Sequence, residues 1–568
     1  MATVVERRGE QVIYRSPVTL DIPSLDILTF LFDNPHNDKL KDDTIMHADA
    51  DDPAKAVTKA SQLDLLQRLA YTLRTTYGVR EGDAVQVMFT GHYLAPTVFY
   101  AILAAGATVA ASTPSSSPQE LARQMALSES KLLISTPDLK ALAAKGGSAA
   151  GLPSDRILYF GDAHRRGSSV DIQLFNAASD AQVPVAPNKH HRWRRLTDKS
   201  TLERTLACLI YSSGTTGTPK AVKVSHANVV AQTHLILTPM RRYYDTHRPS
   251  FAYRTLAHVP AAHISGLQAY FINQAYLGGT VYWMRRFDFP RFLHHARALR
   301  ITMFFSVPPV FLAIARSPLV TDHFDSVDVA WTGAAPLSAA VQLEAQRRLG
   351  KGRGGIAQTW GLSETTGGFT SLPRHIPPEE AVGSVSMVLA NCEARIVDER
   401  GGDVEPGRTG EVWVRGPIVT KGYLKNEQAN REVFVDGWFR TGDNMYFKDG
   451  KFFYVDRRKE LIKYKGFQVA PAELEALLLT HPKIADSAVI GVESEDGTEL
   501  PRAYVVADPT QISAKEIQDW VAEQVASYRR LRGGVFFISA IPKSAAGKIL
   551  RRELRDLVKK EKEGASKL

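Results

Sequence analysis

The segment Tyr211–Lys220 (YSSGTTGTPK) concentrates groups that hold phosphate. Ser212, Ser213, Thr215 and Thr216 offer hydroxyl donors, and Lys220 adds a point charge. Gly214 and Gly217 let the backbone come close to a ligand, and successive N–H groups in such a turn form an anion-binding concavity. It is not a Walker loop, because Pro219 stands before the lysine and no Ser or Thr follows it. By composition alone, such a Ser/Thr/Gly stretch is equally well a plain loop.

The order of the residues decides between these readings. SSGTTGTPKAVKVSH closely resembles the phosphate loop of the adenylate-forming superfamily, which holds acyl-CoA synthetases, 4-coumarate-CoA ligases, peptide-synthetase adenylation domains and firefly luciferase. Further segments agree in the expected order. Thr332–Leu337 (TGAAPL) and Gln358–Glu364 (QTWGLSE) resemble its adenine-pocket motifs. Arg440–Asp443 (RTGD), Asp456-Arg457 and Lys463–Pro471 (KYKGFQVAP) resemble its ribose and hinge motifs. Ile541–Leu554 (IPKSAAGKILRREL) resembles the segment bearing its catalytic lysine, and Gly82–Pro137 also fits its N-terminal region.

The resemblance implies an ATP-dependent activation of a carboxylic acid to an acyl-adenylate plus pyrophosphate, then transfer of the acyl group to a thiol, coenzyme A above all. The chemistry asks for such groups, because a carboxylate is a poor electrophile and ATP repels it. The phosphates must be neutralised and the carboxylate held in line. By the resemblance Glu364 helps hold Mg²⁺, an ion suited to a carboxylate plus phosphate oxygens. Ser363 contacts the α-phosphate, and Asp443 accepts from the ribose hydroxyls with Arg457 nearby. Gly333, Ala334, Ala335, Gln358, Thr359 and Gly361 belong to the adenine pocket, where Trp360 would stack. Lys548 would stabilise the charge of the adenylation step. The small domain would swing about Lys459, withdrawing Lys548 and bringing in Lys465-Gly466 along the pantetheine tunnel. Lys463 and Gln468 match nucleotide contacts, and His263 matches the aromatic gate of the acyl pocket. Each has a plainer reading: a turn for RTGD, a surface ion pair for Asp456-Arg457, core packing for Trp360 and His263, a solvated lysine for Lys548.

Some positions depart from the family pattern. Ala221 stands where many relatives have glycine, Ser363 for threonine and Trp360 for tyrosine. Compared with plant coumarate ligases, Ser265 stands for tyrosine, Trp331 for a polar residue and Gly367-Gly368 for Pro-Val. The plant substrate therefore does not carry over, and aromatic, medium-chain and polyketide-derived acids all remain open. Transfer to a carrier-protein thiol, luciferase-like oxidation and a non-catalytic nucleotide-binding relative are the rival readings. No carrier domain follows Lys548, which favours free CoA.

These residues need elements to position them. Strand-like and helix-like segments alternate, which predicts an α/β fold. The expectation is a large layered α/β domain of the adenylate-forming type over 1–458 and a small, mobile α+β domain over 459–568. Ala207–Tyr211 and Thr302–Val307 read as strands buried on both faces. Ser117-Pro118-Gln119-Glu120 is a capping box with proline at the first helical position. Asp436-Gly437 and Asp449-Gly450 signal hairpins, with Lys451–Val455 as the strand after the second. Pro471 opens a helix carrying Leu474, Leu477 and Leu478, and Ser513 with Glu516 caps another.

Composition bounds the rest. With 568 residues the chain should form more than one domain, and no apolar run is long enough for a transmembrane segment. Its two cysteines, Cys208 and Cys392, read as buried small hydrophobes. The net charge is +10, and the basic run Lys189–Arg195 (KHHRWRR) reads as a solvated loop, with no accompanying nucleic-acid motif. The terminal Ser566-Lys567-Leu568 matches the address read by the peroxisomal import receptor, which predicts a peroxisomal enzyme.

Overall fold

The computed structural model describes residues 2–34, 37–164, 170–212, 220–465, 467–494, 497–544 and 547–565. One sheet has eight strands, in the order 182–183, 170–176, 157–164, 132–135, 84–88, 108–112, 206–212 and 220–225. Its inner five strands are parallel, and the two ends are antiparallel. Such strands are covered on both faces, as the fully buried runs Ala84–Met88 and Thr108–Ser112 require. The helices Lys59–Thr75 and Ala95–Ala104 bury Leu66, Leu69, Val98 and Ile102 in the largest core.

A second, three-stranded sheet is wholly parallel: Met303–Ser306, Val329–Thr332 and Gly355–Gln358. In open α/β sheets ligands bind beyond the carboxyl ends of the strands. Here those ends lead into Val307, Gly333 and Thr359. The large domain also holds a four-stranded sheet, in the order Arg254–Ala257, Thr280–Trp283, Ile45–Asp49 and Ala56–Thr58, and an antiparallel sheet running from Val4–Arg8 through Gly410–Arg415 to Trp438–Lys448 and Lys451–Arg457.

The predicted local signals are present. Ser117 and Glu120 exchange the two capping bonds of the helix Pro118–Ser128. Asp436-Gly437 and Asp449-Gly450 all have positive φ, as two-residue hairpin turns of this hand require. The strand after the second turn runs to Arg457 rather than Val455, because a bulge between Asn444 and Met445 lets pairing continue and sets Arg457 opposite Asp443. Cys208 and Cys392 are buried. The basic run is an exposed loop, as expected, pinned at one residue. Trp193 is buried with its indole N–H donating to Thr29 Oγ1 at 3.0 Å, while Arg195 pairs with Asp33 at 2.9 Å and His190 with Asp64 at 2.8 Å.

The small domain packs the helices Pro471–Leu478 and Ala514–Gln524 on a three-stranded sheet (Asp486–Glu493, Glu499–Val506, Val535–Phe537). Leu474, Leu478, Val489, Val505, Ile517 and Val521 form its own core. Among the described residues no helix is long and apolar enough to cross a membrane.

Candidate active site

A cavity of about 1670 Å³ lies between the two domains, and both contribute to its wall. Its phosphate end begins where the strand Leu206–Ser212 pairs with Lys220–Ser225, which sets Ser212 opposite Lys220. Ser213, Gly214, Thr215, Thr216 and Gly217, between those ends, lie outside the described residues, and of Ser212 only the backbone is described. The Lys220 ammonium sits 5.0 Å from the centre of the Tyr423 ring. The Tyr423 hydroxyl donates to Glu364 Oε1 at 2.8 Å, and the Thr420 N–H donates to the Glu364 carbonyl at 2.8 Å. Glu364 is buried, yet it belongs to the cavity wall together with Ser363. A tight hairpin carries both. Gly361 pairs with Gly368, and a Cβ at Gly361 would stand 1.9 Å from the Gly367 carbonyl oxygen, so only glycine fits.

The nucleoside end is formed by the loops after the parallel strands. Gly333, Ala334, Thr359 and Gly361 are on the wall. Gln358 is not: its buried amide donates to Leu337 O and accepts from Leu337 N–H, both at 3.0 Å, so it clamps the Gly333–Leu337 loop. Ala335, in that loop, is half-buried and off the wall. Trp360 also departs from the expected stacking role. It is buried against Phe369 in the core, and its indole N–H donates to Asp443 Oδ2 at 2.8 Å. The indole therefore orients a carboxylate. Asp443 is buried and off the wall, just behind Thr441 and Gly442, which are on it; Oδ1 lies 3.3 Å from Arg457 Nε as an ion pair and accepts no hydrogen bond. Glu411 holds the turn before it, accepting from Gly442 N–H and Arg458, both at 3.1 Å.

Lys548 reaches this cavity from the small domain. Its loop docks closely on the large domain: a Cβ at Gly547 would stand 3.1 Å from Val307 Cβ. The loop is anchored behind by Arg551, which forms a two-pronged pair with the buried Glu475 at 2.7 and 2.9 Å. Burial, with the Arg457 charge beside it, brings the Lys548 ammonium down to about 8. His263 is on the same wall; burial, and then the Lys548 charge, hold its imidazole near 4, so it is neutral at pH 7. At the domain seam Asp456 is buried rather than a surface group, and Oδ2 accepts from Ala472 N–H at 2.9 Å. Lys459, Lys463 and Gln468 line the cavity. Lys465 is exposed and off the wall, with its N–H on Thr498 Oγ1 at 2.7 Å, and Gly466 lies outside the described residues.

Sequence reasoning missed Tyr423, Glu411 and Arg458. Tyr423 sits in an unremarkable stretch (TKGYLKN), and its partner Glu364 lies 59 positions away.

The site as described gathers a lysine on each side, a buried carboxylate and a glycine-lined cleft suited to a nucleotide. The family model of AMP-binding enzymes matches residues 36–424, and that of their C-terminal domain matches 473–548. The chain belongs to the AMP-binding enzymes. A putative acyl-coenzyme A synthetase of Emericella nidulans is 40% identical over 94% of this AMP-binding enzyme and 96% of its own length. The phenylacetyl-CoA ligase epaB of Aspergillus niger is 33% identical, over 96% and 99% of the two chains. In fold the enzyme matches ATP-bound MatB from Rhodopseudomonas palustris with a TM-score of 0.78, at 23% identity, over 94% of this chain and 98% of that one.

Proposed function

We propose that the enzyme condenses a carboxylic acid with ATP at this cavity, releasing pyrophosphate, and then transfers the acyl group from the acyl-adenylate to the thiol of CoA. An AMP-forming acid–thiol ligase is what the family and the full-length relatives carry in common. One observation carries the assignment to this site: Lys548, from the small domain, lies in the same cavity as Lys220, Ser363 and Glu364 of the large one.

In the first step the carboxylate oxygen attacks the α-phosphorus, and pyrophosphate leaves with the electron pair of the broken P–O bond. Lys548 and Lys220 supply positive charge where negative charge accumulates, in a site largely shielded from water. The Asp443 carboxylate, oriented by Trp360 and Arg457, accepts from the ribose hydroxyls. Glu364 suits Mg²⁺: one buried carboxylate, with Oε1 fixed by Tyr423, leaves Oε2 for an ion. Bound there, the ion would neutralise phosphate charge.

The second step uses another arrangement of the two domains. We place the working hinge at Lys459, with 1–458 and 459–568 as the moving bodies. Rotation there would withdraw Lys548 and bring Lys465, now exposed, toward the incoming thiol. The thiol sulfur attacks the acyl carbonyl and AMP leaves. The acid is aromatic or medium-chain aliphatic, entering past the neutral His263. The Ser566-Lys567-Leu568 motif, outside the described residues, supports import by the peroxisomal receptor. Pyrophosphate release measured across aromatic and C6–C14 aliphatic acids tests the reading. Acid-dependent release that requires Mg²⁺ and rises with CoA is expected; no release with any acid would overturn it.

A further inference from the structure

One helix of the large domain touches the small domain at both of its ends. The helix Pro308–Arg316 leaves the parallel sheet just after the strand Met303–Ser306. At its start it meets the loop that carries Lys548. A Cβ built on Gly547 would stand 3.1 Å from Val307 Cβ and 3.2 Å from Pro309 Cδ. At its end the Arg316 guanidinium reaches across the seam, donating through Nη2 to Leu479 O and through Nη1 to Ile484 O, the second at 3.0 Å. The two contacts are about 12 Å apart at the helical rise. A body held at one point can pivot, whereas one held at two separated points keeps its angle.

Leu479 caps the C-terminus of the small-domain helix Pro471–Leu478, where carbonyls lack partners inside the helix and the helix dipole is negative. The opposite end of that helix has no side-chain cap of its own. Asp456, beside the end of a large-domain strand, supplies one: its Oδ2 accepts from Ala472 N–H at 2.9 Å. A carboxylate therefore grips the positive end of the helix and a guanidinium the negative end, both from the other domain. Gln468 adds an exposed bond to Glu399 at 3.0 Å.

We infer that Arg316 is a positioning residue for adenylation: it holds the small domain at the angle that keeps Lys548 in the cavity, and it lets go before the thiol step. The inference rests on the ligase reading. Rotation about Lys459 carries Leu479 and Ile484 away with the small domain, while Arg316 stays with the parallel sheet, so both of its bonds break. Arg316 thus favours the first step and opposes the second. Its planar fork serves two carbonyls at once, which a lysine ammonium does not reproduce. The side chain is exposed, so its removal leaves the cores intact.

The test compares the full-length parent with Arg316→Met and Arg316→Lys in single turnovers of an acid the parent activates. Acyl-AMP formation without CoA should be roughly tenfold slower in Arg316→Met and intermediate in Arg316→Lys, with Tm unchanged. Conversion of supplied acyl-AMP to acyl-CoA should be as fast as in the parent or faster. Adenylation within about twofold of the parent, or equal slowing of both steps, would overturn the inference. A second readout needs no turnover. Both native cysteines are buried, so spin labels on Leu343→Cys and Leu557→Cys, two exposed sites, report the distance between the domains. Arg316→Met should shift or broaden that distance, and an unaltered distribution would overturn the inference. A shift in a protein whose parent releases no pyrophosphate means that the ligase reading fails and the role of Arg316 stands. Turnover with neither split nor shift means the reverse, and neither signal overturns both.

Discussion

Replacing Tyr423 by phenylalanine removes one oxygen and leaves the ring over Lys220. That oxygen donates to Glu364 Oε1 at 2.8 Å, in a pair where both residues are buried. A hydrogen bond to a charged acceptor contributes about 1.5–3 kcal/mol, and its loss leaves a buried carboxylate oxygen unpaired. If the bond serves to hold Glu364 for the magnesium-bound nucleotide, that energy appears in the reaction. At about 1.4 kcal/mol per decade, kcat/KM for ATP should fall roughly 10- to 100-fold. The aromatic contact with the Lys220 ammonium persists, so the change isolates the hydroxyl. The assay is initial-rate pyrophosphate release at varied ATP and Mg²⁺. A larger Mg²⁺ requirement should accompany the loss, whereas a ring that merely packs would move neither. Activity within twofold of the parent at all Mg²⁺ concentrations would refute the reasoning.

Two more outcomes follow from the same geometry. Trp360→Phe keeps the packing against Phe369 but deprives Asp443 Oδ2 of its donor, so KM for ATP should rise about tenfold with kcat less affected; unchanged KM would deny the indole its orienting role. Lys548 acts in its charged form and titrates near 8 in the free enzyme, so kcat/KM should decline as pH rises through about 8 and hold steady below it. Lys548→Ala should lose about 10²–10³ in adenylation rate and the alkaline decline with it; a decline that survives the substitution belongs to another group.

The sequence carried the site's chemistry further than its geometry. Local signals were strong where chain neighbours cooperate: Ser117 with Glu120, or Asp436 with Gly437, are complete within a few residues. The motif order likewise pointed to Lys220, Ser363, Glu364 and Lys548, all of which border one cavity. What could not be read depends on long-range packing. Nothing near Tyr423 announces Glu364, and nothing near Trp360 announces that its indole faces Asp443, 83 positions away. Gln358 reads as a pocket residue because it stands among pocket residues, yet strand alternation turns its amide to Leu337, away from the cavity. The basic run Lys189–Arg195 is the exposed loop its composition suggests, but its pairs with Asp33 and Asp64 arise only on folding. The π turn Gln268–Asn273, which puts Gln268 and Asn273 on the cavity wall, likewise has no periodic mark in the sequence.

The central claim is that one cavity performs two half-reactions with Lys548 serving only the first. The most direct measurement is a single-turnover experiment with a turned-over acid, following acyl-AMP and acyl-CoA separately. The parent enzyme without CoA should accumulate acyl-AMP in proportion to enzyme, and added CoA should convert it to acyl-CoA and AMP. Lys548→Ala should fail to form the adenylate yet convert supplied acyl-AMP to the thioester at a rate close to the parent's. Equal loss of both steps in that variant, or thioester formation without any acyl-AMP, would contradict the account.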